Sequence, residues 1–343
     1  MDIQNHFYGH SAVLAGHAGL SRPRHMAGLL QHGWTPVTPI RTHFADLAGS
    51  APAGKLFTWT HSSRGWTEEQ SYRETGFRST AIGSPALYLA DMVKASGTVV
   101  ERSIDAVVFP FHGTRLISVD GDQAAYAREV FEREGSALVC MHIDDLQKPD
   151  IVQAWTNAGH RITTAGERRD PAFLARVMWL IMSSRKVISN RLATALVYAA
   201  AVGTPVSIYG PHFQIAGIQE TSSEEYLQRL WPEFYEESSS ASELLEIANA
   251  ELGRGYLQAP DDLRRTLGWD SPGVRAFTDY WIGAPLAKAQ AILGWKKREV
   301  GPLVNEVKLS PLHFLKSPLE HLPDRLPRSV STALVAPSLD HLG

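Results

Sequence analysis

Polar side chains cluster where the short apolar runs of this sequence end. If these runs are strands of an open parallel sheet, ligands bind beyond their carboxyl ends, so these clusters are the first candidates for chemistry. The clusters that carry candidate site residues are His32-Gly33-Trp34, His61 to Arg64, His112-Gly113-Thr114, His142 with Asp144 and Asp145, Glu167-Arg168 and Ser189-Asn190-Arg191.

One cluster has the residue types of a phosphate site. Ser189, Asn190 and Arg191 stand between the apolar pair Val187-Ile188 and an alanine-rich helical run. Small hydroxyl and amide side chains cap the free N–H groups at a helix N-terminus, and the same N–H groups hold phosphate with the help of the helix dipole. Arg191 would add a charge-assisted hydrogen bond. The segment therefore predicts either a phosphate site or a plain helix cap.

A second candidate for phosphate binding is His112-Gly113-Thr114, which follows another predicted strand. Glycine lets a ligand approach the backbone closely, while histidine and threonine offer hydrogen-bond donors to a phosphoryl group. The alternative is a turn glycine beside an incidental histidine.

Two histidines near the N-terminus could act as bases. Histidine titrates near neutral pH and is the usual group for taking a proton from a hydroxyl. His32 follows an early predicted strand, and His10 lies upstream in Tyr8-Gly9-His10-Ser11. For each histidine a structural or substrate-orienting role is the alternative to catalysis.

The fourteen histidines also raise the question of a metal site. His10 and His17 are seven residues apart, as are His25 and His32, and this spacing does not place two ligands on adjacent helical turns. The single cysteine, Cys140, excludes an intramolecular disulfide and any multi-cysteine metal site. We therefore expect no metal.

Composition and charge narrow the class of protein. With 33 Lys and Arg against 36 Asp and Glu, the net charge is −3, which disfavours a protein that coats nucleic acid. The N-terminus lacks the pattern of a signal peptide, and the most apolar stretch, 193–208, is too short to span a bilayer. We expect a soluble, cytoplasmic protein with no nucleic-acid partner and no integral membrane segment; association with a membrane surface stays open.

The elements that must position these residues alternate between β-rich and helical runs, which is typical of an α/β protein with parallel sheets. Strands are predicted at 26–31, 55–60, 79–82, 106–109, 137–141, 161–163, 186–189 and 205–208. Helices are predicted at 67–74, 86–95, 123–134, 150–158, 171–184 and 193–202. The pattern restarts after a polar stretch at 98–105, which predicts a domain boundary near residue 102 and a Rossmann-like second domain.

The C-terminal part has a different character. Between 220 and 262 there are eleven acidic residues and two basic ones, which is typical of a solvated helical surface. Helical pattern continues to about residue 293, and the last 43 residues contain six prolines. The sequence therefore predicts an extended or partly disordered tail over 294–343.

Three parts of the sequence resemble segments of a known protein family. The run 188–206, which ends in Gly203-Thr204-Pro205-Val206, resembles the nucleotide-binding segment of GT-B fold glycosyltransferases. Bacterial capsule and surface-polysaccharide glycosyltransferases have segments that look like the run 29–34, together with 82–85 further along the chain, and like the run 107–113. The resemblance is one of pattern and extends over roughly 8–295.

The resemblance implies a GT-B-like α/β fold of two Rossmann-like domains that face a central cleft, with C-terminal helices crossing back. Residues 1–102 would bind a saccharide or lipid-linked acceptor, 103–260 would bind a nucleotide-sugar, 261–293 would be the crossover helices and 294–343 the tail. The first domain is short for this fold: it is either abbreviated or its first strand lies within 1–8.

The implied reaction is metal-independent sugar transfer without a cofactor, because helix N-termini and cationic side chains stabilise the leaving phosphate. His32 or His10 would be the general base, and Arg64 would orient donor or acceptor. The donor would bind through a larger set: His112, Gly113, Thr114, His142, Glu167, Arg168, Ser189, Asn190 and Arg191.

Two other functions stay open. Many retaining GT-B enzymes have glutamates where this sequence has Asn190 and Tyr198, so the familiar retaining donor site is missing here. That departure favours users of CMP-linked acidic sugars or transferases of polyol phosphate, such as CDP-glycerol-type enzymes. The eight basic and six acidic residues of the first hundred do not form the strongly basic surface that a polyanionic acceptor requires. A non-catalytic nucleotide- or carbohydrate-binding protein is the other alternative.

Overall fold

The computed structural model of the chain describes residues 2–44, 51, 54–113, 119–215, 223–236, 238–270, 274–283, 285–286, 289–290, 295 and 325–338. Its α-helices are α1 His10–His17, α2 Glu68–Thr75, α3 Pro85–Ala95, α4 Gln123–Glu134, α5 Pro149–Asn157, α6 Phe173–Met182, α7 Thr194–Ala201, α8 Glu224–Leu230, α9 Ala241–Glu251, α10 Pro260–Leu267 and α11 Val274–Thr278. Its strands are β1 Leu29–Leu30, β2 Leu56–Thr58, β3 Ser62–Ser63, β4 Trp66–Thr67, β5 Thr80–Ala81, β6 Ile104–Val108, β7 Val119–Asp120, β8 Leu138–Cys140, β9 Arg161–Thr163, β10 Ser184–Ser189, β11 Val206–Ile208 and β12 Gln214–Ile215.

The helices begin where the sequence supplies caps. The Ser84 hydroxyl accepts a hydrogen bond from the N–H of Ala86 at the start of α3, where Pro85 occupies the first turn. Asp122 caps α4 in the same way, by accepting from the N–H of Ala125 at 2.8 Å. These side chains satisfy donors that a helix cannot satisfy itself, and they fix where each helix starts.

Eight of the described strands form two parallel sheets, while β3 with β4 and β7 with β12 form two-stranded antiparallel pairs. The first has three strands in the order β1-β2-β5, and the second has five in the order β11-β10-β6-β8-β9. In the second sheet the chain starts in the middle, extends to one side through β8 and β9, and then returns to the other side through β10 and β11. This is the strand order of a Rossmann-type sheet, and its reversal between β6 and β10 marks the place where ligands bind in such folds.

One hydrophobic core joins the two sheets. It contains Leu14 and Phe57 from the first half of the chain together with Leu180 and Val187 from the second, all of them fully buried. A second cluster, which includes Trp155, covers the other face of the five-stranded sheet. The two sheets are therefore packed against each other, and the space between them is partly filled with side chains.

Chain segments from the C-terminal part return to the first sheet. The N–H of Ala27 donates to the carbonyl of Leu267 at 3.0 Å, and Arg24 donates to the carbonyl of Trp269. Further on, the extended segment 325–338 crosses α1 and α6, where Ser331 bonds to Ala12 through its N–H and to the carbonyl of Pro171 through its hydroxyl. The α/β fold with two parallel sheets and returning C-terminal helices is confirmed.

The start of the chain differs from a regular Rossmann-like domain. Residues 2–9 form a 3-10 segment that is kinked at Phe7 and Tyr8, followed directly by α1. The first strand of the sheet is β1, so the described part of the first half has three parallel strands where the second half has five. The structure has no strand among residues 2–8, so the expectation of a first strand within 1–8 is wrong. An abbreviated first domain stays a prediction.

Candidate functional site

A cavity of about 520 Å³ opens between the two sheets. The carboxyl ends of five strands contribute to it: β1, β6, β8, β9 and β10. The lining residues that follow these ends are His32 to Val37, Phe109 to His112, Met141 to Ile143, Thr164 to Gly166 and Arg191 to Ala195. The sheet geometry thus gathers most of the polar clusters of the sequence at one place.

One wall of the cavity carries three histidines and a tyrosine. Nδ1 of His43 lies 3.2 Å from Nε2 of His32, and Nε2 of His43 lies 3.0 Å from the carbonyl oxygen of Gly33. The ring of Tyr8 stacks against that of His32, with centroids 5.9 Å apart, and contacts the ring of His10 at 6.0 Å. His10 is almost completely buried.

Burial keeps these imidazoles neutral. It lowers the pKa of His10 to about 3 and that of His32 to about 4, since a charged ring loses its hydration there. Arg168 lowers the pKa of His32 further by charge repulsion. The pKa of His43 also lies well below its ordinary value, mainly because of burial and secondarily because of repulsion by a protonated His32. At neutral pH each ring is therefore uncharged and keeps one nitrogen without a proton.

Two further histidines face each other at the ends of β6 and β8. The rings of His112 and His142 are stacked, with centroids 4.2 Å apart and planes inclined by 10°. Burial is the main reason that the pKa of His142 falls to about 4, while Asp144 and Asp145 act in the opposite direction. The pair presents an aromatic surface at the cavity edge, next to Phe111.

The cationic wall is formed by Arg191 and the start of α7. Arg191 is 8% exposed, and its guanidinium lies 4.8 Å from the ring centre of Phe111 and 3.8 Å from Oε2 of Glu224. Helix α7 begins without a side-chain cap, and Ala193, Thr194 and Ala195 of its first turn line the cavity. An uncapped N-terminus leaves backbone donors and the positive end of the helix dipole directed at this space.

Ser189 and Asn190 have partners inside the protein. The amide group of Asn190 accepts from the N–H of Phe111 at 2.9 Å and donates to the carbonyl of Pro211 at 2.9 Å. The Ser189 hydroxyl accepts from the N–H of Arg191 at 3.4 Å. Both side chains are buried. They fix the loops that form the cavity wall, and of this cluster only Arg191 reaches the cavity.

The other candidate residues lie in different places. Arg168 is exposed and stacks on the ring of Phe7, close enough to affect the pKa of His32. Glu167 is exposed, and neither it nor Gly113 lines the cavity. Thr114 lies outside the described residues. Gly113 accepts a hydrogen bond from His112 through its carbonyl oxygen at 2.7 Å.

Arg64 is separated from the histidines. It belongs to the turn between β3 and β4, where its guanidinium donates to Glu233 at 2.7 Å and to the carbonyl of Leu230 at 2.8 Å. Its side chain does not line the cavity. Its hydrogen bond to Glu233 raises its pKa above the ordinary value. Arg64 thus ties two surface segments together in this structure.

Three residues of the site were missed by sequence reasoning. Tyr8 has a positive φ of 56°, a backbone conformation that is uncommon and strained for a residue other than glycine. His43 lies on a short π-helical turn, Ile40–Phe44, well beyond any predicted strand end. The Thr194 hydroxyl accepts from the N–H of Trp34 at 3.1 Å and so joins the two walls. The pair Tyr8-Gly9 was the one available signal, because a glycine there permits the turn that places Tyr8.

The residues that the structure describes include no group of three or more His, Cys, Asp or Glu side chains arranged to hold a metal ion. Within the same residues no helix has the length and apolar character needed to cross a membrane.

Comparisons with known proteins give only distant similarities. No protein-family model matches the chain, and no curated protein sequence matches it. Among solved structures it is similar to the UDP-GlcNAc 2-epimerase from Neisseria meningitidis bound to UDP-GlcNAc, with 14% identity and a TM-score of 0.34 over 70% of this chain and 75% of that one.

Two other solved structures are similar at the same level. Os79 from O. sativa in complex with UDP has 16% identity and a TM-score of 0.32 over 64% of this chain and 52% of that one. A ugt transferase from Siraitia grosvenorii in complex with UDP has 13% identity and a TM-score of 0.25 over 66% and 58%. The chain thus spans little more than half the length of these two proteins.

Proposed function

We propose that the protein is a glycosyltransferase of the GT-B type that takes a sugar from a nucleotide-sugar donor without a metal ion. One observation carries the proposal: a single cavity at the carboxyl ends of both parallel sheets has a cationic wall on one side and neutral histidines on the other. A nucleoside diphosphate needs the first wall, and an attacking hydroxyl needs the second.

The cationic wall fits the phosphates of the donor. Backbone N–H groups at the start of α7 would bind a phosphate, and Arg191 would neutralise its charge in a setting with little competing water. Arg168, which is exposed but close enough to affect the pKa of His32, would add a second positive charge. These groups stabilise the leaving nucleotide as its negative charge develops, which is the task that a metal ion performs in other transferases.

The histidine wall fits deprotonation of the acceptor. As the acceptor oxygen forms its bond to the anomeric carbon, the bond from that carbon to the phosphate breaks and the electron pair leaves with the nucleotide. His32 would take the hydroxyl proton. Its pKa near 4 makes it a weak base in the free protein, but the negative phosphates of a bound donor would raise that pKa toward the value that general-base catalysis requires.

We also propose which half of the chain binds which substrate. The first half of the chain would contribute the acceptor, a saccharide or a lipid-linked sugar, and the second half would contribute the donor. We also place the protein in the cytoplasm. His10 stays a second candidate base, and the stacked pair of His112 and His142 would lie against the donor.

Calorimetry with UDP, GDP, CMP and CDP in the presence of a chelator tests the proposal. We expect one of the four nucleotides to bind, and Arg191→Gln to weaken that binding at least about tenfold, as expected for losing a charge-assisted hydrogen bond of about 1.5–3 kcal/mol. Arg185 lies on β10, the strand that ends just before Arg191; it is exposed and pairs with Asp105, so Arg185→Gln is the matched control.

The outcomes separate the possible functions. Binding of the cytidine nucleotides alone, together with transfer of glycerol phosphate from CDP-glycerol and release of CMP, would favour polyol-phosphate transfer. A bound nucleotide whose sugar is neither transferred nor hydrolysed would favour a binding protein. If none of the four nucleotides binds, the donor site is wrong. Arg191→Lys, which keeps the charge, and thermal unfolding of each variant distinguish a lost contact from a damaged fold.

A further inference from the structure

The hydrogen bond between His43 and His32 defines which nitrogen of His32 carries a proton. A backbone carbonyl can only accept, so Nε2 of His43, 3.0 Å from the carbonyl oxygen of Gly33, must carry a hydrogen. His43 is neutral at pH 7, because burial places its pKa well below the ordinary value. Its Nδ1 is therefore bare and can act only as an acceptor.

The protonation of His43 determines the tautomer of His32. Nε2 of His32 lies 3.2 Å from the bare Nδ1 of His43, and two bare nitrogens would repel each other there. Nε2 of His32 must therefore donate, and since this ring is also neutral, its Nδ1 holds the free lone pair. A chain of two hydrogen bonds, which ends on the Gly33 carbonyl, thus selects one tautomer of His32.

We propose that His43 is a positioning residue, which holds His32 as its Nε2–H tautomer and leaves Nδ1 as the atom that takes the acceptor's proton. This inference rests on the proposed function, in which His32 is the base. His43 does not touch the reacting atoms; it acts through His32, as the third group of a catalytic triad acts through its histidine.

The surroundings of Nδ1 support this assignment. Among the residues that the structure describes, this atom has no hydrogen-bond partner, although it is buried and its side chain belongs to the cavity wall. Buried polar atoms normally have a partner, so an open acceptor here calls for a donor from a ligand, such as a hydroxyl or a water that links to it. The ring of Tyr8, stacked on His32, limits rotation of the imidazole away from this orientation.

A neutral histidine differs from a carboxylate in this role. A carboxylate beside His32 would hold the imidazolium form and raise the pKa of the base. His43 selects the tautomer without adding negative charge, so His32 stays unprotonated until a phosphate-bearing donor arrives. The groups that face His32 are otherwise His10, Tyr8 and the cation Arg168, none of which supplies a negative charge at neutral pH.

Nuclear magnetic resonance of the protein with 15N-labelled histidine tests the tautomer directly and without substrate. The His32→Ala variant identifies the signals of His32. In the unaltered protein we expect Nε2 of His32 to be protonated and Nδ1 to be bare. In His43→Leu we expect a mixture of tautomers, whereas His43→Asn, whose side-chain oxygen stands near the position of Nδ1, should retain the single form.

Turnover gives the second readout. His43→Leu should lower kcat by about tenfold or more with the donor KM within about twofold, since the wrong tautomer impairs proton transfer and not binding. His43→Asn should restore much of kcat. A proton on Nδ1 of His32 in the unaltered protein, or an unchanged tautomer in His43→Leu, would overturn the proposal.

The two hypotheses can fail separately. Full turnover in His32→Ala would show that His32 is not the base and would remove the catalytic consequence of its tautomer. The resonance experiment still decides what His43 does to His32. Failure of all nucleotides to bind would instead reject the donor site, which neither His43 variant affects.

Discussion

Burial of histidine has an energetic cost that depends on pH. His10 is 1% exposed and its pKa is lowered to about 3, mainly by burial and secondarily by His32. The unfolded chain gives each histidine its ordinary pKa near 6.5. Between these values the unfolded state binds a proton that the folded state rejects, so the free energy of unfolding falls as pH falls from about 6.5 toward the folded pKa.

We therefore predict that the protein loses stability in mild acid before its carboxylates protonate. Each such histidine contributes up to about 1.4 kcal/mol per pH unit in this range. Above pH 6.5 both states are neutral and the contribution is absent. Chemical denaturation at a series of pH values between 4.5 and 7.5 measures the slope, and His10→Gln should reduce it by about one proton.

The control for this prediction is an exposed histidine. His212 is exposed, so His212→Gln serves as the control, in which the slope that His10→Gln removes should still be present. A flat stability profile from pH 7.5 to 4.5 in the unaltered protein would show that these rings are hydrated in solution.

For single residues, the sequence is a better guide to location than to role. It indicates which residues lie at the site, but not what each of them does there. His32, His112, His142 and Arg191 follow strand ends, and the structure places all four at the cavity. Asn190 follows a strand end as well, but both functions of its amide are used by backbone groups. That partnership spans 79 residues of chain and has no local signature.

At the scale of elements, one carboxylate on α9 joins segments from both halves of the chain. Glu251 is 6% exposed and accepts hydrogen bonds from the indole N–H groups of Trp34 and Trp231, from the Ser63 hydroxyl and from the N–H of Arg64, at distances of 2.7 to 3.2 Å. The hairpin of β3 and β4, the loop after β1 and the end of α8 thus meet at a single side chain.

We predict that Glu251→Gln destabilises the protein by about 2–4 kcal/mol. The amide group replaces one acceptor oxygen with a donor, which faces N–H and O–H groups that also donate, so two of the four bonds are lost and their donors stay buried. Thermal and chemical unfolding measure the loss. Glu246 lies exposed on the same helix, so Glu246→Gln is the control and should change stability by less than about 0.5 kcal/mol. Equal effects of the two variants would contradict the role of Glu251.

Most of the elements themselves follow from the sequence. The helix at Gln123–Glu134 and the strand at Arg161–Thr163 were predicted with the observed bounds, because apolar periodicity and capping residues are local signals. The helix at His10–His17 was missed because its residues are mostly small, and its buried face is defined by α3 and not by its own pattern. The hairpin at Ser62–Thr67 was missed too, since its few residues lack alternation and depend on Glu251.

At the scale of the whole molecule, the shared core predicts cooperative unfolding. Leu14 on α1 and Leu180 on α6 are both fully buried in the cluster that joins the sheets. Leu14→Ala and Leu180→Ala should each cost about 2–5 kcal/mol. Tryptophan fluorescence and circular dichroism should show one coincident transition that moves as a unit in both variants.

The control is Val99→Ala, because Val99 is 93% exposed and should leave the midpoint in place. Two resolved transitions, with Leu14→Ala shifting one and Leu180→Ala the other, would mean that the halves fold independently. This property was not accessible from the sequence. The boundary predicted near residue 102 follows from a change in local pattern, while the packing of α1 and α3 near α6 is a long-range arrangement.

The shared core also has a consequence for the thermodynamics of ligand capture. Where two lobes move freely relative to each other, ligand binding must also order them. The conformational entropy lost in that step reduces the observed affinity. Here the two halves are already held in one arrangement when the protein folds. The contacts that hold them are the shared core, the carboxylate of Glu251 and the crossing segment around Ser331. The cavity is thus preorganised, and a donor that fits it gains affinity chiefly from the contacts it makes, with little loss of protein conformational entropy.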